Sequence, residues 1–111
     1  MSDAPLNTPS ITPPPEIVHI DSSFEPLIPR FMANRKKEIV TMRQALSGQD
    51  FETVRSVAHG MKGVGGSYGF DRVTELAAAI EQAAKSADAT SITRQLHTLE
   101  AYVNTIQIAY D

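Results

Sequence analysis

His59 is surrounded by residue types that would support nucleophilic chemistry on a phosphoryl group. Arg55 precedes it by four residues, Lys62 follows it by three and Gly63 by four, so a helix would bring all four to one side. A neutral imidazole is a good nucleophile and can form a covalent phosphoramidate. Transfer of a phosphoryl group needs positioning and positive charge beside its oxygens, and Lys62 would supply that charge. We therefore predict phosphoryl transfer at His59, with Gly63 leaving the space that the oxygens occupy.

The helix predicted to carry His59 runs over about residues 51–67 and has a continuous apolar stripe. Its members recur at spacings of three and four residues: Phe51, Val54, Ala58, Met61, Gly65 and Tyr68. Such spacing is typical of a helix face that is buried in a core. At roughly 100° per residue, His59 points about 130° away from the centre of this stripe. We therefore expect the imidazole to face solvent, where another protein could reach it.

Glycines are concentrated immediately after His59. Five of the six glycines lie within residues 60–69, although each glycine inside a helix costs about 1 kcal/mol relative to alanine. Gly65 lies on the apolar stripe, where it would let a neighbouring helix approach closely, and Gly69 is suited to end the helix. The other three fall on the solvent side of the helix: Gly60, Gly63 and Gly66. Packing gives no reason for glycine there, so they predict a surface cleared of side chains around the imidazole.

The helix before this one is predicted from a start signal and a run of apolar residues. Ser22 and Glu25 resemble a capping box, and apolar residues at helical spacing continue from there to about Leu46. Gly48 is suited to a C-terminal cap and Asp50 to an N-cap. The sequence therefore predicts a short turn between the first helix and the helix of His59.

Two further helices complete the predicted fold. The third covers about residues 71–87, and the fourth follows residues 88–90. The fourth has a heptad-like stripe: Ile92, Leu96, Leu99, Val103, Ile106 and Tyr110. A stripe of this kind is expected of a helix in a left-handed bundle, and no alternating strand pattern occurs within residues 24–111. We predict an all-α fold, an antiparallel up-down four-helix bundle.

The N-terminal segment differs in composition from the rest. Residues 1–15 contain five of the seven prolines, which lack the backbone donors that regular structure needs. We expect residues 1–20 to form a flexible or extended proline-rich tail and residues 21–111 to form one domain.

Overall composition excludes several classes of protein. The net charge of -3 indicates neither a nucleic-acid nor a membrane surface. The absence of cysteine excludes disulfides, thiolate catalysis and zinc–thiolate sites. The N-terminus lacks the pattern of a secretory signal, and no apolar run approaches the length of a membrane span. We expect a cytoplasmic protein.

The segment from Ala58 to Gly63, followed by Gly69, resembles the A-H-x-[LI]-K-G-x5-G signature of histidine-containing phosphotransfer (HPt) domains. The resemblance takes in residues 76–81, residues 28–32 and Asp50, and covers about residues 22–108. It implies a monomeric four-helix bundle that accepts a phosphoryl group from the aspartyl phosphate of a receiver domain and passes it to another receiver. The implied partners are response-regulator receiver domains and a hybrid histidine kinase. The receiver would bring the Mg²⁺, so no cofactor is expected in this chain and no autonomous kinase activity.

By the same resemblance, His59 is the phosphorylated residue, Lys62 supports the phosphoryl group and Gly63 keeps the approach clear. Three neighbours are candidate residues for binding a receiver: Arg55, Gly60 and Gly66. Some members of the family have a glutamine that orients the imidazole where this chain has Glu81. A carboxylate could orient the Nδ1 proton in its place, or it could be a solvated charge on the helix face, and both interpretations stay open.

Other functions fit the sequence less well. A histidine kinase would have H-E-x-x-x-P at its phosphorylated helix, a pattern that Gly60 breaks, and a second domain to bind ATP. His19 and His97 have neither lysine nor glycine at the corresponding positions, so we interpret them as solvated surface residues. The three histidines lie on different segments without the spacing of a metal site. The alternative that remains is a helical-bundle module that docks receivers without being phosphorylated.

Overall fold

The computed structural model describes residues 16–111, which form four α-helices between two short strands. The elements in chain order are β1 (Ile17–Ile20), a 3₁₀ helix (Ser22–Leu27), α1 (Ile28–Ser47), α2 (Phe51–Ser67), α3 (Asp71–Lys85), α4 (Ala89–Thr105) and β2 (Gln107–Tyr110). The predicted four-helix bundle is confirmed. No helix within residues 16–111 is both long enough and apolar enough to cross a membrane.

Connections of three residues join the consecutive helices, so each helix runs antiparallel to the next. α1 also packs against α4 and closes the bundle, while α2 and α3 share the most extensive contact. All four helices contribute fully buried side chains to the core, among them Met42, Met61, Ile80 and Leu96. The stripe predicted for α2 faces this core at its four central positions, and its end members Phe51 and Tyr68 are half-buried.

Aspartate side chains cap three of the helical segments: the 3₁₀ helix, α2 and α4, where Asp88 accepts from the Ser91 backbone N–H at 3.1 Å. Asp50 accepts a hydrogen bond from the Thr53 backbone N–H at 3.1 Å, which confirms the predicted N-cap of α2 and satisfies a donor that the first turn leaves free. At the 3₁₀ helix, the cap is Asp21 rather than Ser22. The Asp21 side chain accepts from the Ser23 backbone N–H at 2.8 Å.

Two helices end earlier than the apolar spacing predicts. α3 ends at Lys85 and not at Ala87, because Ala87 adopts a left-handed backbone with φ of 51°. α4 ends at Thr105 because Ile106 has extended backbone angles, φ −66° and ψ 149°. The last members of the heptad-like stripe therefore lie beyond the helix.

The two strands form where the sequence predicted none. They pair in parallel, with Ile17 opposite Gln107 and Ile20 opposite Tyr110. Alternate side chains of β1, those of Val18 and Ile20, are buried against the bundle. Their burial holds residues 17–20 in the strand conformation. The predicted tail over residues 1–20 is thus corrected for residues 17–20. Glu16 is exposed and precedes the strand, and residues 1–15 of the predicted tail lie outside the described residues.

Candidate functional site

His59 lies at the middle of α2, on the face opposite the core. Its side chain is 64% exposed, in agreement with the angle of about 130° that helical geometry gives from the buried stripe. Its Nδ1 atom lies 2.9 Å from Oε2 of Glu81 on α3. The imidazole is therefore open to solvent and fixed in orientation by the neighbouring helix.

Glu81 bridges two side chains of α2. While Oε2 contacts His59, Oε1 lies 2.8 Å from Nζ of Lys62, and the Glu81 side chain is only 5% exposed. The hydrogen bonds from Lys62 and then from His59 outweigh the desolvation of the carboxyl and lower the pKa of Glu81 to about 2. Glu81 is therefore a buried, ionised carboxylate. Of the two interpretations that the sequence left open, the structure agrees with the one in which this carboxylate contacts the imidazole.

The hydrogen bond to Glu81 assigns the tautomer of the neutral imidazole. An ionised carboxylate only accepts hydrogen bonds, so the proton of the 2.9 Å contact belongs to His59 Nδ1. Nε2 then has the free lone pair, and it lies on the side of the ring away from Glu81. The ring nitrogen that can act as a nucleophile is thus the one that faces the open side of α2.

The two basic residues predicted beside His59 both pair with carboxylates. Lys62 contacts Glu81, with 37% of its side chain exposed. Arg55 bonds Glu52 through two of its nitrogens, one of them Nε at 3.2 Å from Oε1. Lys62 therefore belongs to the site through its contact with Glu81, whereas the Arg55 side chain contacts Glu52, about one turn earlier on α2.

The glycines around His59 divide into two groups. A Cβ atom added at Gly60 or Gly63 would meet nothing within 4 Å, and one at Gly66 would lie 3.5 Å from Oγ1 of Thr74. At Gly65 it would come within 2.8 Å of the same oxygen and 3.1 Å of the Thr74 backbone nitrogen. Gly65 therefore permits the close approach of α3 to α2, as predicted, and the space over Gly60 and Gly63 is open.

Further contacts fix α3 against the end of α2. The Thr74 hydroxyl donates to the Lys62 carbonyl oxygen at 2.9 Å. Gly69 has a φ of 89°, a left-handed conformation that glycine adopts without strain, and the Phe70 N–H then donates back to the Gly65 carbonyl at 2.9 Å. The turn and the hydrogen bond from the Thr74 hydroxyl together fix the position of α3 along α2, and in this position Glu81 contacts His59. Sequence reasoning did not identify Thr74, since its spacing from α2 has no recognisable pattern.

The other histidines lie apart from this site. His19, before the bundle, contacts the Asp111 side chain at 3.2 Å, and His97 is exposed on α4. Within residues 16–111 there is no group of three or more histidine, cysteine, aspartate or glutamate side chains that could hold a metal ion.

Comparison with known proteins identifies one family. The family model described as Hpt domain matches residues 27–109, which include all four helices. No curated protein and no solved structure matches the chain significantly.

Proposed function

The chain belongs to the Hpt domain family, and on that basis we propose that His59 accepts a phosphoryl group from the aspartyl phosphate of one receiver domain and passes it to another. Hpt domains perform histidine phosphotransfer in two-component phosphorelays, where they interact with receiver domains and histidine kinases. The family match includes His59, Lys62 and Gly63.

The observation that carries the proposal is the orientation of the imidazole. Glu81 accepts the hydrogen bond from His59 Nδ1 at 2.9 Å, which leaves the Nε2 lone pair on the exposed side of the ring. The neighbouring positions Gly60 and Gly63 have no side chain, and the space above them is open. A receiver surface can therefore bring a phosphorylated aspartate in line with Nε2, because no side chain at position 60 or 63 obstructs the approach.

The transfer step needs no gain or loss of a proton. Nε2 attacks phosphorus, the N–P bond forms, and the bond between phosphorus and the aspartyl oxygen breaks, which regenerates the aspartate carboxylate. The Nδ1 proton stays on the ring, where Glu81 stabilises the positive charge that the ring acquires. The reverse sequence of bond changes delivers the group to the next receiver.

The chain acts in this scheme as a carrier, without kinase activity of its own. The receiver contributes its acidic site and Mg²⁺, while Lys62 contributes positive charge from the helical bundle. The donor is a receiver, such as the one attached to a hybrid histidine kinase, and the carrier is a cytoplasmic monomer. Arg55 and Gly66 flank the contact that the receiver makes on α2.

Phosphotransfer from a panel of receivers tests the proposal. Each receiver, carrying a radiolabelled aspartyl phosphate, is mixed with the protein and with a His59→Gln variant. We expect label on the wild-type protein from at least one receiver and none on the variant. The labelled bond should be lost in acid and retained in alkali, as a phosphoramidate requires.

Two outcomes of this experiment would count against the proposal. Label that remains on His59→Gln would place the modification on another residue. A receiver that binds the protein, yet never transfers label to it, would favour the alternative function, a module that docks receivers without being phosphorylated.

A further inference from the structure

A backbone oxygen of α2, beside His59, accepts a hydrogen bond from a side chain of α3. The Thr74 hydroxyl donates to the carbonyl oxygen of Lys62 at 2.9 Å, and Lys62 lies within α2, three residues after His59. A carbonyl oxygen has two lone pairs, so it can accept this bond and also the N–H of Gly66, four residues further along the helix. The hydroxyl therefore joins the two helices without taking a hydrogen bond from α2.

Thr74 and Glu81 lie on the same face of α3. They are seven residues apart, which is two helical turns and about 10 Å along the axis. Thr74 bonds the backbone of Lys62, while Glu81 contacts the ammonium group of Lys62 at 2.8 Å and Nδ1 of His59 at 2.9 Å. The segment of α2 that carries His59 is thus joined to α3 at two points.

The contact at Thr74 has little free space around it. A Cβ atom added at Gly65 would lie 2.8 Å from the Thr74 hydroxyl oxygen and 3.1 Å from the Thr74 backbone nitrogen, so the two helices touch here with no side chain of α2 between them. Closely packed interiors have few voids that could absorb a change in volume, and they transmit strain. A displacement of α3 at Thr74 would therefore extend along the helix to Glu81.

We propose that Thr74 is a positioning residue for phosphotransfer, whose hydroxyl holds α3 at the place where Glu81 orients His59. This inference rests on the proposed function of His59. Thr74 does not touch the reacting atoms and takes no part in the bond changes of the transfer. Its effect passes through Glu81, which keeps the proton on Nδ1 and leaves the lone pair on Nε2.

The contact that Thr74 maintains is sensitive to small displacements. Good N–H···O hydrogen bonds extend only to about 3.2 Å, and the contact between Glu81 and His59 is 2.9 Å. If α3 moved farther than this margin, the imidazole would lose the acceptor that selects the tautomer protonated on Nδ1. Displacement of a reacting group by about 1 Å can lower a rate on the order of 100-fold. The rate of transfer should therefore depend on the Thr74 hydroxyl.

Three substitutions test this role. Thr74→Val keeps the branched shape, but a methyl group replaces the donor, and a carbon atom approaches a carbonyl oxygen only to about 3.3 Å. Thr74→Ser keeps the hydroxyl. Thr98→Val on α4 is the matched control, because Thr98 is half-buried like Thr74 and its hydroxyl donates at 3.1 Å to the carbonyl of Arg94 in its own helix.

Two measurements are made on each protein. Nitrogen NMR of the histidine rings in alkaline solution reports which ring nitrogen of His59 carries the proton, and a His59→Gln variant identifies the signals of this ring by their absence. The rate of label transfer is measured with one phosphorylated receiver that labels the wild type. Urea denaturation supplies the folded fraction by which each rate is divided.

We expect Thr74→Val to reduce the fraction of His59 protonated on Nδ1 and to slow transfer about tenfold per folded molecule. Thr74→Ser should restore both quantities, and Thr98→Val should leave both at their wild-type values. A structural role alone would lower the stability of Thr74→Val, but it would change neither the tautomer nor the rate per folded molecule.

The outcomes separate the inference from the function on which it rests. A wild-type tautomer and a wild-type rate in folded Thr74→Val would overturn the role of Thr74. Equal impairment of Thr74→Ser and Thr74→Val would also overturn it, because the hydroxyl would then not be the group responsible. Failure of every receiver to label the wild type would contradict the proposed function. The NMR spectra would still decide whether Thr74 positions His59, because they need no phosphoryl group.

Discussion

At the scale of single residues, the site depends on a carboxylate that two donors from another helix keep charged. Glu81 receives hydrogen bonds from Lys62 and His59, and these lower its pKa from 4.5 to about 2. A neutral group in this place would leave the Lys62 ammonium group without an anionic partner. Because the same carboxylate also contacts His59, its charge contributes both to the stability of the protein and to the orientation of the imidazole.

The lowered pKa of Glu81 predicts a specific dependence of stability on pH. A carboxyl whose pKa is lower in the folded than in the unfolded state adds stability above its unfolded pKa, and this stability is lost as the pH falls through the folded pKa. With the pKa moving from 4.5 to about 2, the advantage of wild type over Glu81→Gln should shrink between these two pH values. Urea denaturation at a series of pH values measures it. An advantage that persists unchanged to the lower pH would show that the charge is not held in this way.

Gly63 should show opposite effects of substitution on stability and on function. Nothing lies within 4 Å of a Cβ added there, so Gly63→Ala should stabilise the helix by about 0.5–1 kcal/mol. Gly63→Gln should also fold, but its side chain would obstruct the approach to His59 and slow phosphotransfer on the order of tenfold or more.

Comparison of the two Gly63 variants with Lys62→Arg separates the effect of access to His59 from the effect of the positive charge beside it. Thermal denaturation gives their stabilities, and labelled receivers give their transfer rates. We expect Gly63→Gln to be slower than Lys62→Arg, which keeps the positive charge. Transfer by Gly63→Gln at the wild-type rate would contradict the idea that this position keeps the approach open.

At the scale of secondary-structure elements, the distance between α2 and α3 decides whether the site is assembled. His59 and Lys62 belong to one helix and Glu81 to the other, so their contacts of 2.8–2.9 Å require the two helices to lie close together. The close approach occurs at Gly65, one turn beyond Lys62, where an added Cβ would come within 2.8 Å of the Thr74 hydroxyl and 3.1 Å of the Thr74 backbone nitrogen.

Gly65 and its neighbour Gly66 form a matched pair for testing this approach. A Cβ at Gly65 would lie 2.8 Å from the Thr74 hydroxyl, whereas one at Gly66 would make an ordinary contact of 3.5 Å. Gly65→Ala should therefore destabilise the protein by about 1–3 kcal/mol, and Gly66→Ala should be neutral or stabilise it by up to about 1 kcal/mol. Chemical denaturation compares them. Equal stabilities of the two variants would rule out close packing at Gly65.

The helices were predictable from sequence because their signals are local. Asp50 marks the start of α2, Gly69 marks its end, and the apolar stripe gives its buried face. The strands were missed because each has only four residues and their partners are about 90 positions apart in the chain. The pairing of Glu81 with Lys62 was missed for a related reason, since it depends on how α3 is rotated against α2.

At the scale of the whole molecule, the segment before the first helix is part of the folded domain. Ile20 is 1% exposed and Ile17 is 56% exposed, although both belong to the same strand. Ile20→Ala should lower the free energy of unfolding by about 2–4 kcal/mol, while Ile17→Ala should change it by no more than about 0.5 kcal/mol. Urea denaturation of the two variants measures this difference. A small effect of Ile20→Ala would mean that β1 detaches easily from the bundle.

The parallel pairing of β1 with β2 also determines how the molecule would resist mechanical force. Tension applied through Glu16 and Asp111 would pull the two strands past each other lengthwise, because the two residues lie at opposite ends of the parallel pair. The hydrogen bonds between the strands, such as Gln107 N–H to Glu16 O and Asp111 N–H to Ile20 O, would then be loaded in shear, all at once. The strands therefore form a mechanical clamp, and the helices, with the imidazole of His59, are shielded from the load until that clamp breaks.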